Sequence, residues 1–190
     1  LFLALATGDA GPLVASLRRT RHRPTGGQWA IFLRNHDELD LGRLTEAQRE
    51  QVFAEFAPEE SMRLYGRGIR RRLAPMLGDR RRVKLATSML FALPGTPVIR
   101  YGDEIGMGDD QRLPQRAAVR TPMQWSHDTN AGFSSAERIV HPVIESGLYD
   151  YRRVNVEAQR RDPSSMLSWT AAMIRLRKEC PEIGWGTWWL

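Results

Sequence analysis

Two short apolar runs, each followed at once by polar residues, stand out along the chain. The first run, WAIFL at 29–33, leads into RNHDE at 34–38, and the second, TPVIRY at 96–101, leads into GDE at 102–104. A short continuous apolar run is typical of a strand buried on both faces of a parallel sheet. Barrel and open-sheet α/β enzymes place their chemistry at the carboxyl ends of such strands. We therefore predict two parallel strands whose polar ends share one face; ordinary strands with solvated loops are the alternative.

Helical signals fill the sequence around these strands. Thr45 and Gln48 form a capping box ahead of an apolar helical face that ends before Pro58. Further helices are predicted after Pro12, from Ile69 through Leu73 and Leu77 to the stop at Gly78, after Asp79, and after Ser164 or Ser165 as far as Pro181. Alternation of strands and helices predicts an α/β fold, either the last part of a barrel or a doubly wound sheet.

The stretch from residue 103 to about 163 shows little periodicity. A loop of that length within a compact domain is either functional or evidence against the assignment of elements. Because it follows a predicted strand, where barrel enzymes carry their active-site loops, we favour a functional loop.

Composition places the chain among globular proteins. It has 190 residues, 42% of them hydrophobic, and no internal repeat. The apolar residues 1–6 are too short to span a membrane and follow no basic segment, so we expect a segment of a longer chain and no membrane partner. The single Cys180 fits a reducing compartment, and we expect a cytoplasmic protein.

The net charge of +6 raises the question of nucleic acid as a partner. Most of the charge lies in arginine runs at 18–23, 70–72 and 80–84, whereas Lys84 and Lys178 are the only lysines. A chain-wide preference for arginine points to coding bias, and no aromatic residues interleave with these runs to form a stacking platform. We therefore predict solvated helix faces and no nucleic acid partner, with a basic binding module as the alternative.

Three motifs in order resemble the α-amylase superfamily of retaining glycoside enzymes. They are FLRNHDE at 32–38, GTPVIRYGDEIGM at 95–107, and RTPMQWS at 120–126 followed by NAGFS at 130–134. The resemblance implies the C-terminal portion of a TIM (β/α)8 barrel, from about helix 6 to helix 8, and thus an incomplete barrel. It implies one catalytic-domain portion at 1–184, long βα loops at 39–62 and 103–162, and the start of a truncated C-terminal β domain at 185–190.

The resemblance also implies roles for four residues. Asp37 matches the carboxylate that grips the 2- and 3-hydroxyls of the transferred sugar and stabilises the transition state. His36 matches a histidine that hydrogen-bonds the same sugar, and its alternative is a histidine satisfied by backbone groups. Arg120 matches an arginine near the acceptor sugar, with a surface ion pair as the alternative, and Glu38 is a substrate-binding residue or a cap of the loop.

Four further acids, Asp103, Glu104, Asp109 and Asp110, raise the question of a metal site. Their spacing fits no EF-hand loop, so we predict backbone and loop hydrogen bonds and no metal here.

Within the superfamily, the motifs together with VNVEAQRRDPSS at 154–165 are most similar to the branch that interconverts maltose and trehalose with retention through a covalent glucosyl-enzyme. An α-glucosidase or amylase-type hydrolase is the alternative.

A retaining enzyme needs a nucleophile and a general acid about 5–5.5 Å apart, and no segment of this chain matches either region. We therefore expect an inactive isolated chain, with maltose or trehalose and the missing N-terminal part of the barrel as partners. We expect no cofactor within these residues, whereas calcium remains open for the missing part.

Overall fold

The two apolar runs form neighbouring parallel strands, as predicted. The computed structural model describes residues 1–186, 188 and 189. Strand β1, Ala30–Ile31, pairs with strand β5, Thr96–Pro97, with Ala30 opposite Thr96. Both strands are shorter than the predicted runs at 29–33 and 96–101. Each has a single neighbour within the part of the chain that the structure describes, so the ladder is not extended from its other side.

The remaining elements are helices and a small antiparallel sheet. That sheet has the order β2-β4-β3, with β2 at Leu39–Asp40, β3 at Arg63–Leu64 and β4 at Gly68–Ile69. The helices are α1 Phe2–Thr7, α2 Gly11–Arg19, α3 Glu46–Phe56, α4 Leu73–Leu77, α5 Arg80–Ala92, α6 Val156–Arg160, α7 Met166–Glu179 and α8 Glu182–Trp185.

Three predicted helix starts are confirmed by their caps. Thr45 accepts a hydrogen bond from the N–H of Gln48, whose side chain accepts from the N–H of Thr45, so the capping box of α3 is complete. Asp79 caps α5 by accepting from Arg81, and Ser165 caps α7. Each cap satisfies N–H groups that have no partner within the helix.

The prediction of one helix running from Ile69 to Leu77 is wrong in its first half. Ile69 lies in β4, where it is opposite both Leu39 and Arg63. The N–H of the next residue, Arg70, donates to Met62 O at 2.9 Å. Because strand pairing takes the backbone groups that a helix would need, the helix begins only at Leu73.

The main core lies between α1, α3, α4 and α5. Phe53 and Phe56 of α3 are almost completely buried, and the ring of Phe56 meets that of Phe2 edge to face at 6.1 Å between centroids. The segment 39–62, predicted to be a long βα loop that contains the helix capped by Thr45, contributes that helix to the core. The segment 103–162 contains four short 3₁₀ turns, helix α6 and two small apolar clusters, so it is folded over much of its length.

The end of the described chain has little regular structure. Helix α8 ends at Trp185, and Trp188 and Trp189 belong to no helix or strand. The predicted β domain at 185–190 includes residues 187 and 190, which lie outside the described residues, and it stays a prediction. Of the helices described, none has both the length and the apolar composition that crossing a membrane requires.

Candidate active site at the ends of two parallel strands

The predicted site residues lie together just beyond β1. Asp37 is partly exposed, with 35% of its side-chain surface accessible, so it is not turned into the core. Its backbone N–H donates to Asn35 Oδ1 at 2.9 Å, which shapes the turn that presents the carboxylate. Residue Arg100, beyond the end of β5, donates to Asn35 O at 2.6 Å. The polar ends of the two strands therefore meet at a common face, as the sequence predicts.

Two arginines hold the Asp37 carboxylate. Arg120 Nη2 lies 2.8 Å from Asp37 Oδ1, and Arg116 Nε lies 3.5 Å from the same oxygen. Burial acts to raise the pKa of Asp37, but the Arg120 hydrogen bond and the charges of Arg116, His36 and Arg120 outweigh it and hold the pKa below its ordinary value. Asp37 is therefore ionised at neutral pH and presents negative charge to the surface.

His36 and Arg120 lie on either side of this carboxylate. The His36 ring is 71% exposed and its Nε2 lies 3.7 Å from Asp37 Oδ2, which argues against a histidine satisfied by backbone groups. Arg120 also donates from Nε to the carbonyl of His36 at 2.9 Å. Arg120 thus forms an ion pair, as the alternative of a surface ion pair supposed, and its partner is Asp37, the candidate catalytic acid.

Glu38 forms a two-point ion pair with Arg116. Arg116 Nε and Nη2 lie 2.7 and 3.2 Å from the two Glu38 oxygens. That side-chain hydrogen bond holds the pKa of Glu38 below its ordinary value, against the opposing effect of burial. Gly68 is needed beside it, because a Cβ there would lie 2.6 Å from Glu38 Cγ. Glu38 therefore orients Arg116 toward Asp37.

The sequence did not predict Arg116 as a site residue. The signal that identifies it is its spacing of four from Arg120, across the 3₁₀ turn at 115–119. This turn places both guanidinium groups against the 34–38 segment, about 80 residues earlier in the chain.

Buried arginines lie beneath the site. Arg34 is 2% exposed; its Nε donates to Arg71 O at 2.8 Å and its Nη2 donates to Asp37 O at 2.9 Å. Burial lowers the pKa of Arg34 to about 10, so it remains charged at neutral pH. Arg72 is completely buried and lies 3.5 Å from Asp103. Arg34 thus supports the backbone of the segment that carries Asp37, whereas Arg72 bonds the carbonyl of Tyr101 and its buried Nε and Nη2 have no hydrogen-bond partner among the described residues.

The prediction of solvated helix faces is wrong for the run at 70–72. These residues lie between β4 and α4, and Arg70 and Arg72 are buried. Arg70 Nη2 donates to the carbonyls of Gln111 and Leu113, each at 2.7 Å. Because the run follows β4 of the antiparallel sheet, it lies in the interior, where backbone carbonyls instead of water accept hydrogen bonds from its guanidinium groups.

The four acids of the 103–110 segment face arginines and backbone N–H groups. Asp109 accepts from the N–H of Arg72 at 2.8 Å, and Asp110 pairs with Arg112 at 2.8 Å. Burial raises the pKa of Asp103 to about 6 despite nearby arginines. In the described part of the chain, no group of three or more His, Cys, Asp or Glu side chains is arranged to hold a metal ion.

A groove of about 670 Å³ lies beside Arg120. Its walls are mainly apolar and include Tyr101, Trp125 and Phe133, with Glu104 as an acidic member. Arg120 is shared between the groove and the ion pair with Asp37, so the two features are adjacent.

Comparison with known families assigns the chain to a class. The model of the alpha-amylase catalytic domain matches residues 69–186. The chain therefore belongs to the α-amylase family.

Within that family the chain is similar to trehalose synthases. It is 47% identical over 186 residues to the trehalose synthase of Thermus thermophilus, covering 96% of this chain and 19% of that protein. It is 46% identical over 190 residues to the trehalose synthase/amylase TreS of Mycolicibacterium smegmatis, covering 98% of this chain and 32% of that protein. The chain thus spans about a fifth to a third of the length of these relatives.

A solved structure shows the fold. The isomaltulose synthase SmuA of Protaminobacter rubrum superimposes with a TM-score of 0.59 at 20% identity, covering 93% of this chain and 32% of that chain. The chain has the fold of part of an α-amylase-family barrel, and its described residues form no closed barrel.

Proposed function

We propose that this chain is the C-terminal part of the catalytic barrel, from about helix 6 to helix 8, of an enzyme that interconverts maltose and trehalose. The enzyme transfers a glucosyl group within one bound substrate and retains the anomeric configuration. Support comes from the similarity to trehalose synthases over nearly the whole chain. The observation that carries the mechanism is the ionised, partly exposed Asp37 at the ends of two parallel strands.

Asp37 acts on the transition state in this proposal. Cleavage of a glucoside develops positive charge at the anomeric carbon, and hydrogen bonds to the 2-hydroxyl strengthen as that charge grows. An anionic acceptor stabilises the transition state more than the ground state, which is the requirement for catalysis. Arg116 and Arg120 keep Asp37 ionised and fix its orientation. His36, exposed beside it, donates a hydrogen bond to the same sugar.

The two other carboxylates of the reaction belong to the missing N-terminal part of the barrel. A nucleophile there forms the covalent glucosyl-enzyme, while a general acid protonates the leaving oxygen. The freed glucose stays in the closed site, turns, and attacks the glucosyl-enzyme through its anomeric hydroxyl. Closure excludes water, which would otherwise give hydrolysis. The segments 39–62 and 103–162 are candidates for the parts that close.

Hydrolysis of α-glucosides is the second candidate function. It is favoured by the relative from Mycolicibacterium smegmatis, which is described as a trehalose synthase/amylase. Both functions use Asp37 in the same way and differ in whether water reaches the glucosyl-enzyme. A calcium site in the missing part of the barrel and a cytoplasmic location stay predictions.

The test is incubation of the full-length protein with maltose. Trehalose as the main product supports the proposed transfer, and glucose as the main product supports the hydrolase. No turnover of maltose, trehalose or longer α-glucosides would contradict both.

A further inference from the structure

Arg100 connects the two segments that form the candidate site. Its Nη1 lies 2.6 Å from the carbonyl oxygen of Asn35, two residues before Asp37. Its Nη2 donates to the carbonyl of Val119, the residue before Arg120. The ion pair between Asp37 and Arg120 and the two bonds from Arg100 therefore close one ring of contacts. Arg100 thus links the backbone next to Asp37 to the backbone next to Arg120.

The contacts of Arg100 are almost entirely with backbone. The residue is 8% exposed, and Tyr101 lies against its guanidinium at 5.2 Å from the ring centroid. Among the described residues no carboxylate oxygen lies within ion-pairing distance of it, and its Nε has no hydrogen-bond partner. The titratable groups that act on it from nearby are Arg72, Tyr101, Asp103 and Arg34. The two divergent N–H groups, rather than a paired charge, are what connects this side chain to the site.

We propose that Arg100 is a positioning residue for the candidate catalytic acid. It sets the separation between the 34–38 segment and the 115–120 turn, and through that separation the contact between Arg120 and Asp37. This inference rests on the proposed function, because it assigns Arg100 a part in the same reaction.

Lysine does not replace arginine in this arrangement. A guanidinium presents rigidly spaced donors, so it holds two carbonyls in fixed directions at once. An ammonium is a point charge on a flexible stem and has no fixed spacing between its donors. Arg100→Lys therefore keeps the positive charge and removes the defined spacing. A misplacement of about 1 Å in a catalytic arrangement lowers the rate by about 100-fold.

Arg177 provides a matched control at the other end of β5. Its guanidinium also donates to backbone carbonyls, those of Phe91, Leu93 and Gly95. These carbonyls lie just before β5, whereas Arg100 follows it. Arg177→Lys thus removes the same kind of support without touching the contact between Asp37 and Arg120.

The experiment measures kcat and KM for maltose in the full-length protein and its R100K, R177K, R120K and R100K/R120K variants. We expect R100K to lower kcat by about 10- to 100-fold with little change in KM, and R177K to change kcat by less than about threefold. Since R100K acts through Arg120, its effect shrinks when Arg120 is already replaced, which makes the double variant non-additive. Thermal unfolding of each variant measures the purely structural cost.

Three results would overturn the inference. They are an unchanged kcat in R100K, a loss of activity that R177K matches at equal thermal stability, and additive effects of R100K and R120K. Should R100K not fold, R100Q takes its place, because it retains an amide donor and removes the fixed spacing.

Crystal structures of R100K and R177K separate this inference from the proposed function. They show the contact between Asp37 and Arg120 whatever the substrate is. Loss of that contact in R100K alone supports the positioning role even if maltose is not a substrate. Retention in both variants contradicts it even if the enzyme is a trehalose synthase.

Discussion

Arg120 contacts the segment that carries Asp37 at two points, the Asp37 carboxylate at 2.8 Å from Nη2 and the His36 carbonyl at 2.9 Å from Nε. One guanidinium therefore stabilises the ionised carboxylate of Asp37 and also holds the backbone just before it. A planar fork suits this double contact, since its donors have fixed spacing. The arrangement keeps Asp37 ionised while 35% of its side chain stays accessible to a substrate.

The first prediction concerns Asp37 itself. Asp37→Asn in the full-length protein removes the negative charge that meets the developing positive charge of the transition state. Because contacts to the 2-hydroxyl are worth several kcal/mol there, we expect kcat/KM for maltose to fall by about 10³-fold or more. Initial rates of trehalose and glucose release measure it.

Asp40→Asn is the matched control for that variant. Asp40 lies three residues later, is exposed, and meets Arg67 at 3.6 Å. Asparagine preserves the oxygen that accepts from the N–H of Gly42. We expect activity within about twofold of the parent, as for other substitutions at exposed surfaces. An Asp37→Asn protein that retains a tenth of its activity would contradict the assigned role.

The second prediction concerns Glu38 and acid stability. The pKa of Glu38 is held below its ordinary value, so its stabilising contribution is present above the pKa of the unfolded chain and is lost as pH falls through the folded pKa. For a partly exposed pair we expect about 1 kcal/mol. Glu38→Gln should therefore lower the midpoint of thermal unfolding at pH 7 and have less effect near pH 3. An equal loss at both pH values would contradict this.

The third prediction concerns Asp103, whose pKa is shifted in the opposite direction. Burial raises its pKa to about 6, so the folded chain binds this proton more tightly than the unfolded chain. The sign is therefore reversed: ionisation of Asp103 costs stability as pH rises from about 4 to above 6, by about 3 kcal/mol for a shift of about two units. Asp103→Asn removes this pH-dependent cost.

Thermal unfolding of the full-length protein and of D103N tests this between pH 4 and pH 7. We expect the difference in midpoint, variant minus parent, to rise with pH. The attraction of Arg72 for ionised Asp103 is already contained in the pKa, so the exchange of the neutral acid for the amide adds only an offset that does not vary with pH over this range. A difference that stays constant or falls with pH would contradict the raised pKa.

Local signals in the sequence predicted much of this fold. The caps at Thr45, Asp79 and Ser165 depend on side chains within three residues of the helix start, so the sequence contains all the necessary information. The parallel pairing of the two apolar runs also followed from their composition and spacing. The apolar run and its abrupt polar end predicted the strand end at 34–38, whereas Asp37 was singled out within it by the resemblance of FLRNHDE to the α-amylase superfamily.

The supporting arginines could not be predicted in this way. Arg100 bonds Asn35, 65 residues earlier, and Arg116 bonds Glu38 across 78 residues. The acceptors of Arg100 are backbone carbonyls, which every residue has, so no residue pattern marks it, and Arg116 is marked only by its spacing of four from Arg120. Arginine also suggests a solvated position, whereas Arg72 is buried because strand pairing at 68–69 directs the following residues inward.

The last prediction concerns the isolated chain of 190 residues. The strands β1 and β5 each have one neighbour among the described residues, and unpaired strand edges promote association. Phe32 and Val98, next to these strands, are 52% and 46% exposed. Apolar side chains at the open edge of a barrel require the remaining strands for burial. We expect the expressed chain to be aggregated or molten and to show no glycosidase activity.

Circular dichroism and sedimentation test this last expectation. A molten chain retains its far-UV signal, loses its near-UV signal and shows no sharp thermal transition. Adding the N-terminal part of the barrel as a separate polypeptide should restore near-UV structure, and with it turnover of maltose, because that part supplies both the missing strands and the two other carboxylates. A monomeric chain with a cooperative transition and a sharp near-UV spectrum on its own would show that the open edge is stable without its partner.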